Sequence, residues 1–192
     1  MNFKAEGSDP PRRFAMPSPA SGIALRRPTG LDGPQVSALV ADCPPLDVNS
    51  AYCNLLQCSH FAGTCVLAER GGQAVGWISG YRPPSATENL FVWQVAVHPS
   101  ARGAGLGQAM LEWLILAPAA EGARDLTTTI TAANRPSWGL FGRFARSHGL
   151  ILTKSAHFER ETHFAGAHDT EWQVTIGPLE RARHTLRQQD PR

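Results

Sequence analysis

Val95-Ala-Val-His-Pro-Ser-Ala-Arg102-Gly103-Ala104-Gly105-Leu106-Gly107-Gln-Ala-Met110 joins a strand-like run to a helix-like run through a glycine-rich turn. Upstream, Asn89 to Val97 packs Leu90, Phe91, Val92, Trp93, Val95 and Val97 into one short stretch, the densest strand signal of the chain, and Pro99 stops it. Downstream, Leu106, Met110, Leu111, Leu114 and Ile115 recur at helical spacing, and Pro118 closes the helix. Glycines let a backbone turn tightly and approach a ligand closely. The first amides of the following helix point outward with the positive end of its dipole, so such a turn suits a pyrophosphate. The spacing Gly103-x-Gly105-x-Gly107 is not the dinucleotide fingerprint, and Gln108-Ala109 stands where a P-loop needs Lys-Ser/Thr. A purely structural turn stays open on the glycines alone.

Working outward, strand and helix signals alternate. Ile23 to Arg26 reads as a strand. A helix follows with Asp32 as its N-cap, Pro34 in its first turn and Val36, Leu39 and Val40 on one face. Ser50 caps a second helix with Leu55 and Leu56 inward. Thr64 to Glu69 and Ala74 to Tyr81 read as a hairpin turning at Gly71-Gly72. Leu126 to Thr131 is a strand, Ser137 to His148 a helix ended by Gly149, and Ile151 to Phe158 and Glu171 to Ile176 are the last strands. This order predicts an α/β domain with a mixed sheet over residues 21–180. Residues 1–20, with Pro10, Pro11, Pro17 and Pro19, read as a disordered tail, and residues 181–192 as a polar, frayed C-terminal tail.

Composition narrows the function. A chain of 192 residues with 42% hydrophobic residues fits one globular domain. Its apolar runs are too short to cross a bilayer, and residues 1–20 lack a signal-peptide core, which predicts a cytoplasmic protein. The formal net charge of +2 belongs to the termini. Arg181, Arg183, Arg187 and Arg192 outweigh Asp190, and Lys4, Arg12 and Arg13 outweigh Glu6 and Asp9, so residues 21–180 are net acidic. A nucleic-acid-binding face is therefore not expected, and a cationic small substrate is favoured. Cys43, Cys53, Cys58 and Cys65 form no C-x-x-C pair and read as free thiols.

The apolar strand, His98-Pro99, and then Arg102-x-x-Gly105-x-Gly107 resemble motif A of the GNAT superfamily of N-acetyltransferases. Asn134-Arg-Pro-Ser-Trp-Gly-Leu-Phe141 resembles its second element, an asparagine before a helix that packs on coenzyme A. The resemblance implies the GNAT fold, a mixed and mostly antiparallel central sheet flanked by helices, with acetyl-coenzyme A as co-substrate and no metal. It implies that the amides of Arg102, Gly103, Ala104, Gly105, Leu106 and Gly107 hold the pyrophosphate. Val95 and Val97 would align the pantetheine as an added strand, and Asn134 and Phe141 would line the cofactor channel. Many family members have tyrosine at the position of Phe141, where it protonates the leaving thiolate. Phenylalanine cannot, and no general acid is assigned.

Over about 155 residues the likeness narrows to the diaminobutyrate acetyltransferases of ectoine biosynthesis. It is carried by Cys43-Pro-Pro-Leu-Asp47-Val-Asn-Ser-Ala-Tyr52, Phe91-Val-Trp93-Gln-Val-Ala-Val97 and His168-Asp-Thr-Glu171-Trp172. By that likeness Asp47, Tyr52, Trp93, His168 and Glu171 line the substrate pocket, the γ-nitrogen is acetylated, and the protein is a homodimer serving osmoprotection. The attacking amine has an ordinary pKa of about 10.4, so on the order of one part in a thousand is neutral at pH 7. Glu171 or Asp47 is the expected proton acceptor, with Glu171 preferred. Each residue also has a structural reading: Asp47 with Ser50 as a helix cap, Trp93 as core, Tyr52 as packing. His168-x-x-Glu171 lacks the companions of a metal site. A GNAT acting on a polyamine, an aminoglycoside or a protein N-terminus, and a non-catalytic acyl-coenzyme-A-binding module, are the alternatives.

Overall fold

The structure, a computed structural model, describes residues 22–189. The expected tail over residues 1–20 lies outside them. Seven strands form one sheet: β1 (Ile23–Arg26), β2 (Val66–Arg70), β3 (Gln73–Tyr81), β4 (Asn89–Val97), β5 (Asp125–Thr131), β6 (Ile151–Phe158) and β7 (Glu171–Gly177). Their order is β1-β2-β3-β4-β5-β7-β6, and every neighbouring pair is antiparallel except β4 with β5. The expected mixed, mostly antiparallel sheet flanked by helices is what the chain builds.

The helices are α1 (Gly33–Ala41), α2 (Ala51–Ser59), α3 (Leu106–Leu116), α4 (Arg135–Ser147), α5 (Arg160–Phe164) and α6 (Leu179–Gln189). On one face of the sheet, Met110, Leu111, Leu114 and Ile115 of α3 share a core with Phe141 and Phe144 of α4 and with Leu90, Val92, Leu126 and Val174. On the other face, Val36, Leu39 and Val40 of α1 and Cys58 of α2 pack on Leu67, Trp77 and Ala96. This second core contains no buried hydrophobic residue from β5, β6 or β7. The β2–β3 hairpin turns at Gly71 (φ +58°) and Gly72 (φ +80°), the paired left-handed conformation that a two-residue hairpin requires.

Four local expectations are corrected. Asp32 does not cap α1 through its side chain; it accepts hydrogen bonds from the Thr29 amide (2.7 Å) and hydroxyl (3.0 Å) and pairs with Arg26 at 2.6 Å. The inward face of α2 is Asn54, Gln57 and Cys58, while Leu55 is 40% exposed beside Gly33. β2 starts at Val66, after a 3-10 turn over Ala62–Thr64. Most consequentially, the expected frayed C-terminus contains α6. Arg183, 2% exposed, donates from all three guanidinium nitrogens: to Ile115 O (2.9 Å), Ala120 O (2.8 Å) and Ala123 O (2.7 Å). Carbonyls left over where α3 ends need donors, and one guanidinium supplies them.

Candidate active site

β4 is where the two cores meet. Ser79 of β3 pairs with Gln94 but Gly80 pairs with Val92, so Trp93 is an extra residue, a β-bulge. A Cβ on Gly80 would lie 2.7 Å from Phe91 O and 3.0 Å from Thr64 O, so this bulge admits only glycine opposite it. The bulge reverses the alternation of the strand. Leu90 and Val92 enter the α3 core, whereas Ala96 enters the α1–α2 core. It also ends the partnership with β5, whose ladder runs only from Asn89–Asp125 to Phe91–Thr127. Beyond Phe91 the two strands separate into a wedge, leaving one backbone edge of β4 at Val95 and Val97 without a strand partner among the described residues. That wedge fits an extended thioester arm. The Val97 carbonyl accepts from Arg102 Nε at 3.0 Å, which ties the glycine turn back to the strand.

The turn itself behaves as the spacing predicts. Gly103 (φ +81°) and Gly105 (φ +75°) are left-handed, and Gly105 is the N-cap of α3 with no side chain to satisfy the first amides. Gly105 and Gln108 form one wall of a groove of about 410 Å³, and Arg135, Pro136, Gly139, Leu140 and Arg143 of α4 form the other. This groove carries two arginines and no acid along its lining, the electrostatics an anionic nucleotide needs. Ala104 is exposed, but Leu106 is buried in the core, and a Cβ on Gly107 would meet Leu140 at 3.1 Å. Gly107 therefore serves the close approach of α3 and α4. Asn134 caps α4, its Oδ1 accepting from the Ser137 amide at 3.1 Å. Phe141 does not face the groove: at 2% exposure it sits in the core, because α4 turns positions 135, 139 and 143 outward and 141, 144 and 145 inward. Behind the groove, Gln108 donates to Glu112 (2.9 Å) and Glu112 meets His148 Nε2 at 3.0 Å, joining the two walls. Burial pushes the Glu112 carboxyl up, but the bonds from His148 and Gln108 outweigh it and hold it low.

Of the expected acceptor residues, His168 and Glu171 meet at the start of β7. Glu171 begins β7 opposite Thr131 of β5, and His168 Nε2 lies 4.0 Å from its Oε1. Burial raises the Glu171 carboxyl above its ordinary range, and the negative charge of Asp47 adds to the rise; His168 and the Thr129 hydroxyl oppose it. Asp47, far away in sequence, is the smallest of these influences on Glu171. Ser50 caps α2, accepting from the Cys53 amide at 3.1 Å, which leaves Asp47 exposed and free of the capping role. Trp93 is 49% exposed and Tyr52 71%, so neither is core. Trp93 stands edge-on to Tyr81 at 6.3 Å, and Tyr81 meets Phe91 at 5.2 Å in a tilted pair, an aromatic cluster on β3 and β4.

Sequence reasoning missed Arg135, Arg143, Tyr81, Thr129 and Gly80. Arg135 and Arg143 had a readable signal, since they lie eight residues apart in the helix that follows Asn134. Nothing in the sequence pairs Gly80 with a bulge on another strand.

The bulged and splayed β4–β5 pair, the glycine turn into α3 and the basic wall of α4 define an acyl-coenzyme-A-dependent acetyltransferase. The chain belongs to the acetyltransferase (GNAT) family, whose profile matches residues 34–145. It is 48% identical over 168 residues to the L-2,4-diaminobutyric acid acetyltransferase of Vibrio cholerae serotype O1, covering 86% of this chain and 95% of that one. To the same enzyme of Methylotuvimicrobium alcaliphilum it is 45% identical over 157 residues, 82% of this chain and 91% of the relative. Among solved structures, it superposes with a TM-score of 0.78 and 39% identity on the diaminobutyrate acetyltransferase EctA from Paenibacillus lautus, solved in complex with its substrate L-2,4-diaminobutyric acid and coenzyme A. That match covers 82% of this chain and 95% of the other.

Proposed function

We propose that this protein transfers the acetyl group of acetyl-coenzyme A to the γ-amine of L-2,4-diaminobutyrate, giving N4-acetyl-L-2,4-diaminobutyrate. The observation that carries the reading is the likeness to L-2,4-diaminobutyric acid acetyltransferases at 45% and 48% identity over most of the chain, joined to a half-buried carboxylate, Glu171, 4.0 Å from His168 and suited to a cationic amine. The substrate named for the Paenibacillus lautus structure has that chemistry, with two amines and one carboxylate.

In this reading Glu171, its carboxyl raised by burial, accepts the proton of the reacting ammonium, directly or through water. The neutral amine attacks the thioester carbonyl, an amide on the β4 edge near Val95 stabilises the oxyanion, and the C–S bond breaks. A thiol with an ordinary pKa of about 8.5 is a fair leaving group, so solvent suffices to protonate it. Asp47 holds the α-ammonium, Trp93 and Tyr52 wall the methylenes, and His168 orients Glu171. The amides of residues 102–107 bind the pyrophosphate, with Arg135 and Arg143 adding charge. The same reading makes the product the precursor that cyclises to ectoine, an osmoprotectant formed in the cytoplasm. No helix among the described residues is long and apolar enough to cross a membrane. A homodimer is part of the reading; the exposed outer edge of β6 supports it, and light scattering on the eluting protein tests it.

The deciding experiment is thiol release from acetyl-coenzyme A with L-2,4-diaminobutyrate, ornithine, lysine and putrescine. Preference for diaminobutyrate is expected. Release with another amine alone discards the substrate but keeps the chemistry, and release with none favours a binding module.

A further inference from the structure

Asp47 lies outside any helix or strand. Residues 47–49 have no regular secondary structure and lie between a turn closed by Leu46 N–H to Cys43 O (3.1 Å) and the cap of α2 at Ser50. A carboxylate on such a segment has no secondary structure to aim it. One side chain does so instead. Gln94 Nε2 donates to Asp47 O at 2.9 Å, and Gln94 Oε1 accepts from Asn49 Nδ2 at 3.3 Å. Among the described residues, no other hydrogen bond joins residues 47–49 to the sheet.

Gln94 is 8% exposed and directly follows the bulged residue Trp93. In a regular strand Gln94 would share a face with Leu90 and Val92, inside the α3 core. The extra residue turns it to the opposite face with Ala96, toward the segment that carries Asp47. One backbone irregularity thus opens the wedge for the thioester and aims an amide at the acceptor loop.

We infer that Gln94 is the positioning residue of the acceptor site: it locks the Asp47–Asn49 segment to β4 and so sets the distance between the bound amine and the thioester. The inference rests on the reading of Asp47 as a substrate carboxylate. Gln94 itself touches neither substrate.

The test is steady-state kinetics of Gln94→Leu, Gln94→Glu and Asn49→Ala, with coenzyme A affinity measured by calorimetry. Gln94→Leu removes both bonds and should raise KM for diaminobutyrate about tenfold. Its KM for acetyl-coenzyme A and Kd for coenzyme A should stay within about twofold. Gln94→Glu keeps the acceptor for Asn49 but loses the donor to Asp47 O, and should resemble Gln94→Leu. Asn49→Ala, at a half-exposed position that tolerates truncation, should raise the same KM about threefold and serves if the Gln94 variants fail to fold. Equal rises in both KM values, or an unchanged KM for diaminobutyrate in Asn49→Ala, would overturn the role. A wild type inactive on diaminobutyrate would instead discard the substrate assignment, so the two failures are distinguishable.

Discussion

Glu171 is the residue whose chemistry depends most on its surroundings. Exposed, it would titrate as an ordinary carboxylate; half-buried beside Asp47, its carboxyl is raised into a range useful to a base. Glu171→Gln keeps the shape and removes the proton acceptor, so kcat should fall about a hundredfold or more with little change in coenzyme A affinity. The pH profile carries a second prediction. Protonated Glu171 is inactive, so kcat falls on the acid side at the raised value. Asp47→Asn removes the like charge that contributes to the rise, so the acid limb should move to lower pH as KM for the amine increases. An acid limb that stays in place would show that the two carboxylates do not interact. Both residues stand in the sequence segments that resemble diaminobutyrate acetyltransferases, but the burial that raises Glu171 comes only from the fold.

At the scale of elements, the turn into α3 and the end of α3 are the informative pieces. Gly105 is left-handed with open space around it, so Gly105→Val costs the fold only the strain of a β-branched residue there. It would nevertheless place a side chain in the groove, and Kd for coenzyme A should rise about tenfold or more while the cooperative unfolding transition persists. Arg183 acts at the other end of the same helix. Arg183→Met takes the donors from Ile115 O and Ala123 O, while Ala120 O keeps the Ala123 amide, and should lower stability by about 2–3 kcal/mol in urea unfolding. The glycine turn was readable because φ > 0 demands a particular residue type. Arg183 was not, because a run rich in arginine and glutamine reads as solvated until its one buried guanidinium is seen against another element.

For the molecule as a whole, stability near the N-terminal edge rests on Arg26, which bonds both Asp32 (2.6 Å) and Glu69 (2.9 Å). Hydrogen bonds from Arg26, with smaller help from Thr29, hold the Asp32 carboxyl below its ordinary range against its burial. A depressed carboxylate stabilises the fold above its unfolded pKa and loses that contribution as pH falls through its lower folded value. Unfolding free energy should therefore drop on acidification below the ordinary carboxylate range, and Arg26→Met should remove most of that dependence. Arg26→Met should also cost about 3 kcal/mol at neutral pH by leaving Asp32 buried and unpaired. An unchanged acid slope in urea titrations would assign the sensitivity to other carboxylates.

The sequence by itself determined the α/β order, the strongest strand and the glycine turn into α3, while the segments around Asp47, Trp93, His168 and Glu171 were marked by their family resemblance. The order, the strand and the turn depend on local residue type and on periods of two and 3.6 residues, which neighbours along the chain decide. The tertiary structure alone decided the bulge at Trp93, the docking of α6 through Arg183, the burial of Phe141 and the tether from Gln94 to Asp47. Each of these joins residues distant in sequence, and its energy comes from a register, a buried polar group or a close approach that no local pattern contains.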